Sequence, residues 1–285
     1  MHQSRAQALT YRGRLAPSPT GLLHLGHART FWTAQQRALA AGGALILRNE
    51  DLDWTRVRPE FITAMIEDLR WFGFKWQEGP DGGGPYAPYS QSERGEIYRR
   101  AFERLREAGL VYPCSCSRQD VLRALQAPHA SDDEPIYPGT CRAAAAPPVG
   151  KRINWRFRVP DHEAVEFQDG HFGPQRFVAG KDFGDFVVWR HDGVPSYQLA
   201  VTADDSAMHI TEVVRGADLL VSTARQLLLY RALGLTPPAF YHGPLVTNEA
   251  GERLAKRHDA ASLRRLREQG RTPEEIRREW ETQSK

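Results

Sequence analysis

The sequence predicts an α/β fold: a mainly parallel sheet, interrupted by an inserted α+β module and followed by a short helical extension. Three observations lead there. Strand-like and helix-like segments alternate up to about residue 75 and again from about residue 196, and such alternation builds parallel sheets. Between residues 111 and about 195 the pattern changes to short alternating segments beside three cysteines. Beyond Ser262 only two short, charged, helix-like runs remain.

Each element has a local reason. "YRGRLAP" is a short strand that stops at Pro17, because proline lacks the amide donor and keeps Ala16 extended. From Leu25 to Ala41 small and apolar residues recur at helical spacing and close on "GG". "ALILRNEDLD" is a buried strand ending in acids, and "RPEFITAMIEDLRWFGF" an amphipathic helix with Pro59 in its first turn. A glycine-rich loop, "EGPDGGGPYAPYSQSE", precedes a helix from about Glu93 to Ala108. "INWRFRVP" and "DFVVWRHDG" carry the alternation of the insert, whose linker is "CRAAAAPPVG". The helix-and-strand pattern then resumes through "YQLAVTADDSA", "HITEVVRGADLL", "STARQLLLYRALG" and "AFYHGPLV". In the tail, Thr272, Pro273, Glu274 and Glu275 predict a capped second helix. The expected organisation is a first half-domain over 1–110, an insert over 111–195, the second half over 196–246, and a loop with a helical tail over 247–285.

Composition narrows the function classes. The chain has 285 residues, 41% of them hydrophobic and 26% charged, as expected for a folded globular protein rather than a disordered one. A net charge of +3 permits a nucleic-acid partner without requiring one. The N-terminus lacks an apolar signal-like run and no segment reaches the ~20 apolar residues of a membrane span, so a cytoplasmic protein with no membrane partner is expected. Cys114, Cys116 and Cys141 fall in one 28-residue window, which suits a metal in a reducing compartment better than a disulfide framework.

The stretch "RLAPSPTGLLHLGHART" leads to chemistry. If a helix begins near Leu23, its first-turn amides and dipole offer an anion site. His24 and His27 are three residues apart and share one face of the first turn, and Gly26 leaves room for a ligand to approach the backbone. A bare H-x-x-H is more often one capping and one core histidine, so the second element decides. "NEAGERLAKRHDA" follows the last predicted strand and offers Lys256, suited to holding a departing polyphosphate.

Together, His24-Leu25-Gly26-His27 and Arg253-Leu254-Ala255-Lys256-Arg257 resemble the H-I-G-H and K-M-S-K-S motifs of class I aminoacyl-tRNA synthetases. Arg253 replaces the first lysine and Ala255 the serine, while Lys256 is retained. "RLAPSPTG", "RNEDLD", "GPYAPYSQSER", "PSYQLAVTADD", "RGADLLVSTARQLLLYRALG" and "FYHGPL", in this order, are similar to the catalytic half of glutamyl-tRNA synthetase from about Arg12 to Ser262. The resemblance implies a Rossmann-like, doubly wound catalytic domain that binds ATP, with Mg2+ on its phosphates, and L-glutamate. It implies a glutamate pocket of Arg14, Leu15, Ala16, Pro17, Ser18, Glu50, Tyr197 and Arg215. Arginines suit the substrate carboxylates and Glu50 the ammonium. His24, Gly26, His27 and Lys256 would then hold ATP, and the carboxylate would attack the α-phosphorus with no side-chain nucleophile.

Cys114, Cys116 and Cys141 supply three of the four ligands that tetrahedral zinc takes. Generic preference offers His129 as the fourth, whereas the resemblance points to Tyr137 in "YPGTC". One structural Zn2+ is expected. The sequence ends 29 residues after Lys256, too few for an independent anticodon-reading domain. That expectation, with the cysteine insert, resembles the glutamyl-Q tRNA(Asp) synthetases, which attach glutamate to queuosine in the anticodon loop of tRNA(Asp). A monomer is expected, with "SLRRLREQGR" either contacting RNA phosphates or forming a solvated amphipathic helix. A conventional glutamyl-tRNA synthetase fragment that charges a tRNA 3′ end and a non-catalytic, zinc-bearing RNA-binding relic are the alternatives.

Overall fold

The computed structural model describes residues 10–124, 136–144, 150–245 and 262–283. The strands are β1 (Arg12–Leu15), β2 (Ala44–Leu47), β3 (Val111–Cys114), β4 (Asn154–Phe157), β5 (Ala164–Asp169), β6 (Gly173–Val178), β7 (Phe186–Trp189), β8 (Glu212–Gly216) and β9 (Ala239–Gly243). The α-helices are α1 (Leu25–Ala40), α2 (Pro59–Phe72), α3 (Gly95–Glu107), α4 (Arg118–Ala124), α5 (Tyr197–Ala207), α6 (Leu220–Ala232), α7 (Leu263–Glu268) and α8 (Pro273–Gln283). The chain forms two compact units, one of residues 1–93, 209–217 and 238–285, the other of 94–208 and 218–237.

In the first unit β1 and β2 pair in parallel with Arg14 opposite Ile46, and β8 and β9 pair in parallel with Arg215 opposite His242. The two pairs are tied by Thr211, whose amide donates to the Arg12 carbonyl at 2.9 Å and whose Oγ1 accepts from the Arg12 amide at 2.8 Å. A Cβ on Gly43 would lie 2.3 Å from the Tyr11 carbonyl oxygen, so only glycine lets the chain turn from α1 into β2 there. Leu15, Phe31, Leu47, Leu69, Phe72 and Val214 build the core. The predicted tail belongs to that core: Leu263 and Leu266 of α7 and Ile276 and Trp280 of α8 join it, and Trp280 stacks on Phe72 with ring centroids 5.5 Å apart. The expected cap of α8 is present, the Thr272 amide donating to Glu275 at 2.9 Å and the Glu275 amide to Thr272 Oγ1 at 3.3 Å. Arg264, in the run "SLRRLREQGR", donates to Glu67 of α2 at 2.6 Å and lies 3.6 Å from the buried Asp68. Arg265 and Arg267 are exposed.

The second unit is mainly antiparallel: β3, β4 and β7 form one sheet, and β5 with β6 a hairpin. Its core joins Phe102 and Leu105 of α3 to Phe157, Phe186, Leu199 and Leu228. Buried polar groups fasten α3 to α5. Arg94 Nε donates to Asp204 Oδ1 at 2.6 Å and the Tyr98 hydroxyl donates to Oδ2 at 2.9 Å. Both arginine and aspartate are almost wholly buried, so removal of one strands the other's charge away from water. Among the described residues no helix is long and apolar enough to cross a membrane. Asp204→Ala is expected to destabilise the protein by about 3–5 kcal/mol. An unchanged urea midpoint would show that this pair does not hold the helices together.

Candidate active site

The parallel pairing of β1 and β2 continues past their last paired residues. The Arg48 amide donates to the Leu15 carbonyl at 2.8 Å and the Glu50 amide to the Pro17 carbonyl at 3.0 Å. Arg14, Leu15, Ala16, Pro17, Ser18 and Glu50 are thereby brought together at the carboxyl ends of the two strands, where open α/β sheets bind ligands. The Arg14 guanidinium crosses to β8, its Nη1 donating to the Val214 carbonyl at 3.0 Å. It is therefore held beside the strand that carries Arg215. Arg215 and His242, opposite one another, are joined by Nε–H donation to His242 Nε2 at 3.1 Å.

Of the acids in "RNEDLD", the structure gives Glu50 and Asp51 different surroundings. Asp51 accepts from the Ser92 amide at 2.8 Å, the Ser92 hydroxyl at 2.7 Å and Asn49 Nδ2 at 3.1 Å, which ties down the end of the glycine-rich loop. Glu50 Oε1 accepts from Arg48 Nη2 at 2.9 Å and from Nε at 3.3 Å. Arg48 was not singled out by the sequence, yet its side chain is fully buried. Its signal was a cation closing the apolar run "ALIL". His242 was also missed, because one histidine inside a strand carries no pattern. Tyr197 is the first residue of α5 in the second unit, with 38% of its surface exposed.

His24 is the extended N-cap of α1, with Gly26 and His27 in the first turn. The two imidazoles stack with centroids 3.8 Å apart, and His27 is followed at 6.2 Å by Phe31. A Cβ on Gly26 would come within 3.2 Å of His24 Cε1 and Nδ1, so the space beside this glycine is used first by the imidazole of His24. The His24 amide donates to His27 Nδ1 at 3.4 Å, which leaves the ring proton of a neutral His27 on Nε2, a donor suited to an anion. Burial lowers the pKa of His24. Desolvation, and then the nearby His24 charge, lowers that of His27. Ser262 is bridged to His24, and the Leu263 amide donates to the Leu23 carbonyl at 2.7 Å, so the chain after the lysine segment returns to the histidine end of α1. Lys256, Arg253 and Ala255 lie outside the described residues, as does His129.

In the second unit the three cysteine sulfurs lie within 4.8 Å of one another. Cys116 Sγ is 3.6 Å from Cys141 Sγ, and Tyr137 Oη is 3.4 Å from Cys114 Sγ and 3.6 Å from Cys116 Sγ. A tetrahedron with Zn–S bonds of about 2.3 Å has S···S edges of about 3.8 Å and slightly shorter S···O edges. The Cys116–Cys141 separation and the two tyrosine–sulfur separations are of that size, and the donor types suit zinc. Arg156 supports it from outside, its Nε donating to Cys114 Sγ at 3.3 Å and its guanidinium lying 3.9 Å over the Tyr137 ring. Burial pushes the Cys116 thiol up to about 11. It opposes ionisation of Cys141 too, but hydrogen bonds, that of Tyr137 foremost, bring this thiol down to about 7. A cation at the cluster would favour the thiolate at all three.

Because the folded histidines resist protonation and unfolded ones accept a proton near pH 6.5, the unfolded chain binds more protons below that pH. Stability is therefore fully present above pH 6.5 and is lost as pH falls toward the folded values. NMR titration should place both histidines below 6.5, and a His24→Asn/His27→Asn double variant should flatten the fall. An identical pH slope in the double variant would refute this.

Comparison with known proteins agrees with the geometry. Residues 10–280 match the family described as tRNA synthetases class I (E and Q), catalytic domain. The glutamyl-Q tRNA(Asp) synthetase of Symbiobacterium thermophilum is 52% identical, with 93% of this chain and 83% of that protein covered. The protein of the same name from Nitratidesulfovibrio vulgaris is 49% identical, with 91% and 82% covered. Glutamate–tRNA ligase 2 of Nitrosococcus oceani is 43% identical over 92% of this chain, which spans only 57% of that protein. A crystal structure of a glutamate tRNA ligase from Elizabethkingia meningosepticum, in complex with its amino acid, superposes with a TM-score of 0.74 at 33% identity, covering 83% of this chain and 50% of that one. With its strand ends and histidine pair arranged as above, the chain belongs to the class I tRNA synthetases of the glutamyl and glutaminyl type and is a ligase of that family.

Proposed function

We propose that this enzyme activates glutamate with ATP in the absence of tRNA and transfers it to the queuosine base in the anticodon loop of tRNA(Asp). The observation that carries the acceptor is similarity: the chain is 52% and 49% identical to two relatives named glutamyl-Q tRNA(Asp) synthetase, against 43% to a glutamate–tRNA ligase. In the pocket, Arg215 binds the side-chain carboxylate, Arg14 a carboxylate and Glu50 the ammonium. Leu15 to Ser18 form the wall. Support for this reading comes from the grouping of Arg14, Glu50 and Arg215 at the strand ends of one unit.

An oxygen of the substrate α-carboxylate attacks the α-phosphorus of ATP. The P–O bond to pyrophosphate breaks as the acyl–phosphate bond forms. Neutral His24 and His27 donate to the triphosphate at the helix N-terminus, Gly26 keeps the approach short, and Lys256 spreads the charge of the departing pyrophosphate. Mg2+ supplies further charge neutralisation on the phosphates. Cys114, Cys116, Cys141 and Tyr137 hold a structural Zn2+ in an insert over 111–195, and the protein works as a cytoplasmic monomer.

ATP–pyrophosphate exchange with glutamate and no tRNA should proceed, and glutamate should then be transferred to tRNA(Asp) containing queuosine but not to the unmodified tRNA. Exchange that starts only when a glutamate tRNA is added would make this a 3′-end-charging synthetase. No exchange under either condition would leave a non-catalytic RNA binder. Metal analysis of protein purified without chelator should give about one equivalent of zinc, and less than about half an equivalent would remove the metal assignment.

A further inference from the structure

We propose that His242 is a positioning residue that sets the amino-acid specificity of the site by choosing which edge of Arg215 receives the substrate carboxylate. The inference rests on the reading of Arg215 as the side-chain carboxylate partner. A guanidinium can fork a carboxylate across its side edge, Nε and Nη2, or across its end, Nη1 and Nη2. With Nε–H donated to His242 Nε2 at 3.1 Å, the side edge is committed and the substrate forks across the end.

Three features hold this arrangement. The two residues are register partners on adjacent parallel strands, so their Cα positions are set by the sheet. Both are buried, Arg215 at 4% and His242 at 0% exposure, and a contact there is not averaged by solvent. Phe240, two residues before His242, stacks with its imidazole at 6.3 Å and an interplanar angle of 16°, while the Arg215 guanidinium lies 5.5 Å from the same ring. One aromatic side chain therefore steadies both planes. An imidazole that accepts at Nε2 is neutral and acts as a one-sided brace: it orients the cation without neutralising it. A carboxylate in its place would cancel the charge that selects glutamate.

The test separates positioning from packing. In His242→Phe the aromatic volume stays and the acceptor is lost. In His242→Gln the amide oxygen reaches where Nε2 was, whereas in His242→Asn it reaches only the position of Nδ1. ATP–pyrophosphate exchange gives KM for glutamate, KM for ATP and kcat separately. His242→Phe and His242→Asn should raise KM for glutamate about tenfold or more, the scale of one charge-assisted hydrogen bond. They should also narrow the preference for glutamate over glutamine and leave KM for ATP near that of the wild type, while His242→Gln keeps most of the glutamate affinity. His242→Asn carries the test if the phenylalanine variant does not fold. Unchanged glutamate KM in the non-accepting variants, or a parallel loss of ATP affinity, would overturn the proposal. Arg215→Ala is the control for the underlying reading. If it leaves glutamate KM unchanged, the pocket assignment fails; if it raises KM while His242→Phe and His242→Asn do not, only the positioning role fails.

Discussion

The Arg48 amide reaches the Leu15 carbonyl and the Glu50 amide reaches that of Pro17, so the parallel ladder of β1 and β2 carries the backbone beyond the strands themselves. The rest of the site depends on that extension. Proline at position 17 has no amide to give, but its carbonyl still accepts, which lets an irregular loop stay in register with the neighbouring acid run. Glu50 is then held beside the first loop by backbone bonds, and the Arg14 side chain is directed across the sheet to β8. A strand pairing shifted by one residue would send Arg14 to the opposite face and dismantle the grouping.

Charge is distributed with the same economy. Two acids stand side by side after β2, but Asp51 satisfies loop hydrogen bonds while Glu50 shares one oxygen with the buried Arg48. The histidines at the start of α1 are desolvated and stacked, and a neutral pair can donate to phosphate without the repulsion that two imidazolium rings 3.8 Å apart would suffer. The cationic work falls to arginines, whose guanidinium groups stay protonated even when buried. His242 beside Arg215 follows that rule, an imidazole nitrogen accepting from a buried guanidinium.

The second unit solves a different problem. Its sheet and hairpin are made of short strands, four to six residues each. Cys114 at the end of β3 is drawn into a cluster with Cys116, Tyr137 and Cys141. Arg156, from the adjacent β4, reaches both a sulfur and the tyrosine ring.

The sequence by itself determined the elements and the strongest motifs. Hydrophobic period, Pro17, the paired glycines after α1 and the Thr272 cap are local signals, and β1, α1, α2 and the start of α8 follow from them within a residue or two, whereas β2 ends at Leu47, short of the acids to which the sequence carried it. His24, Gly26, His27 and the cysteines stood out in the sequence as patterns, the histidines only once the lysine segment was set beside them. Tertiary structure alone decided which side chains these patterns meet. Arg48 is buried against Glu50 and His242 meets Arg215 across a strand pair, Asp51 is bound by Ser92 arriving from 41 residues away, and Arg264 pairs with Glu67 of α2. The physical reason is range: periodicity and capping act over one or two turns, whereas burial and hydrogen-bond partners are set by which distant segments the core brings together.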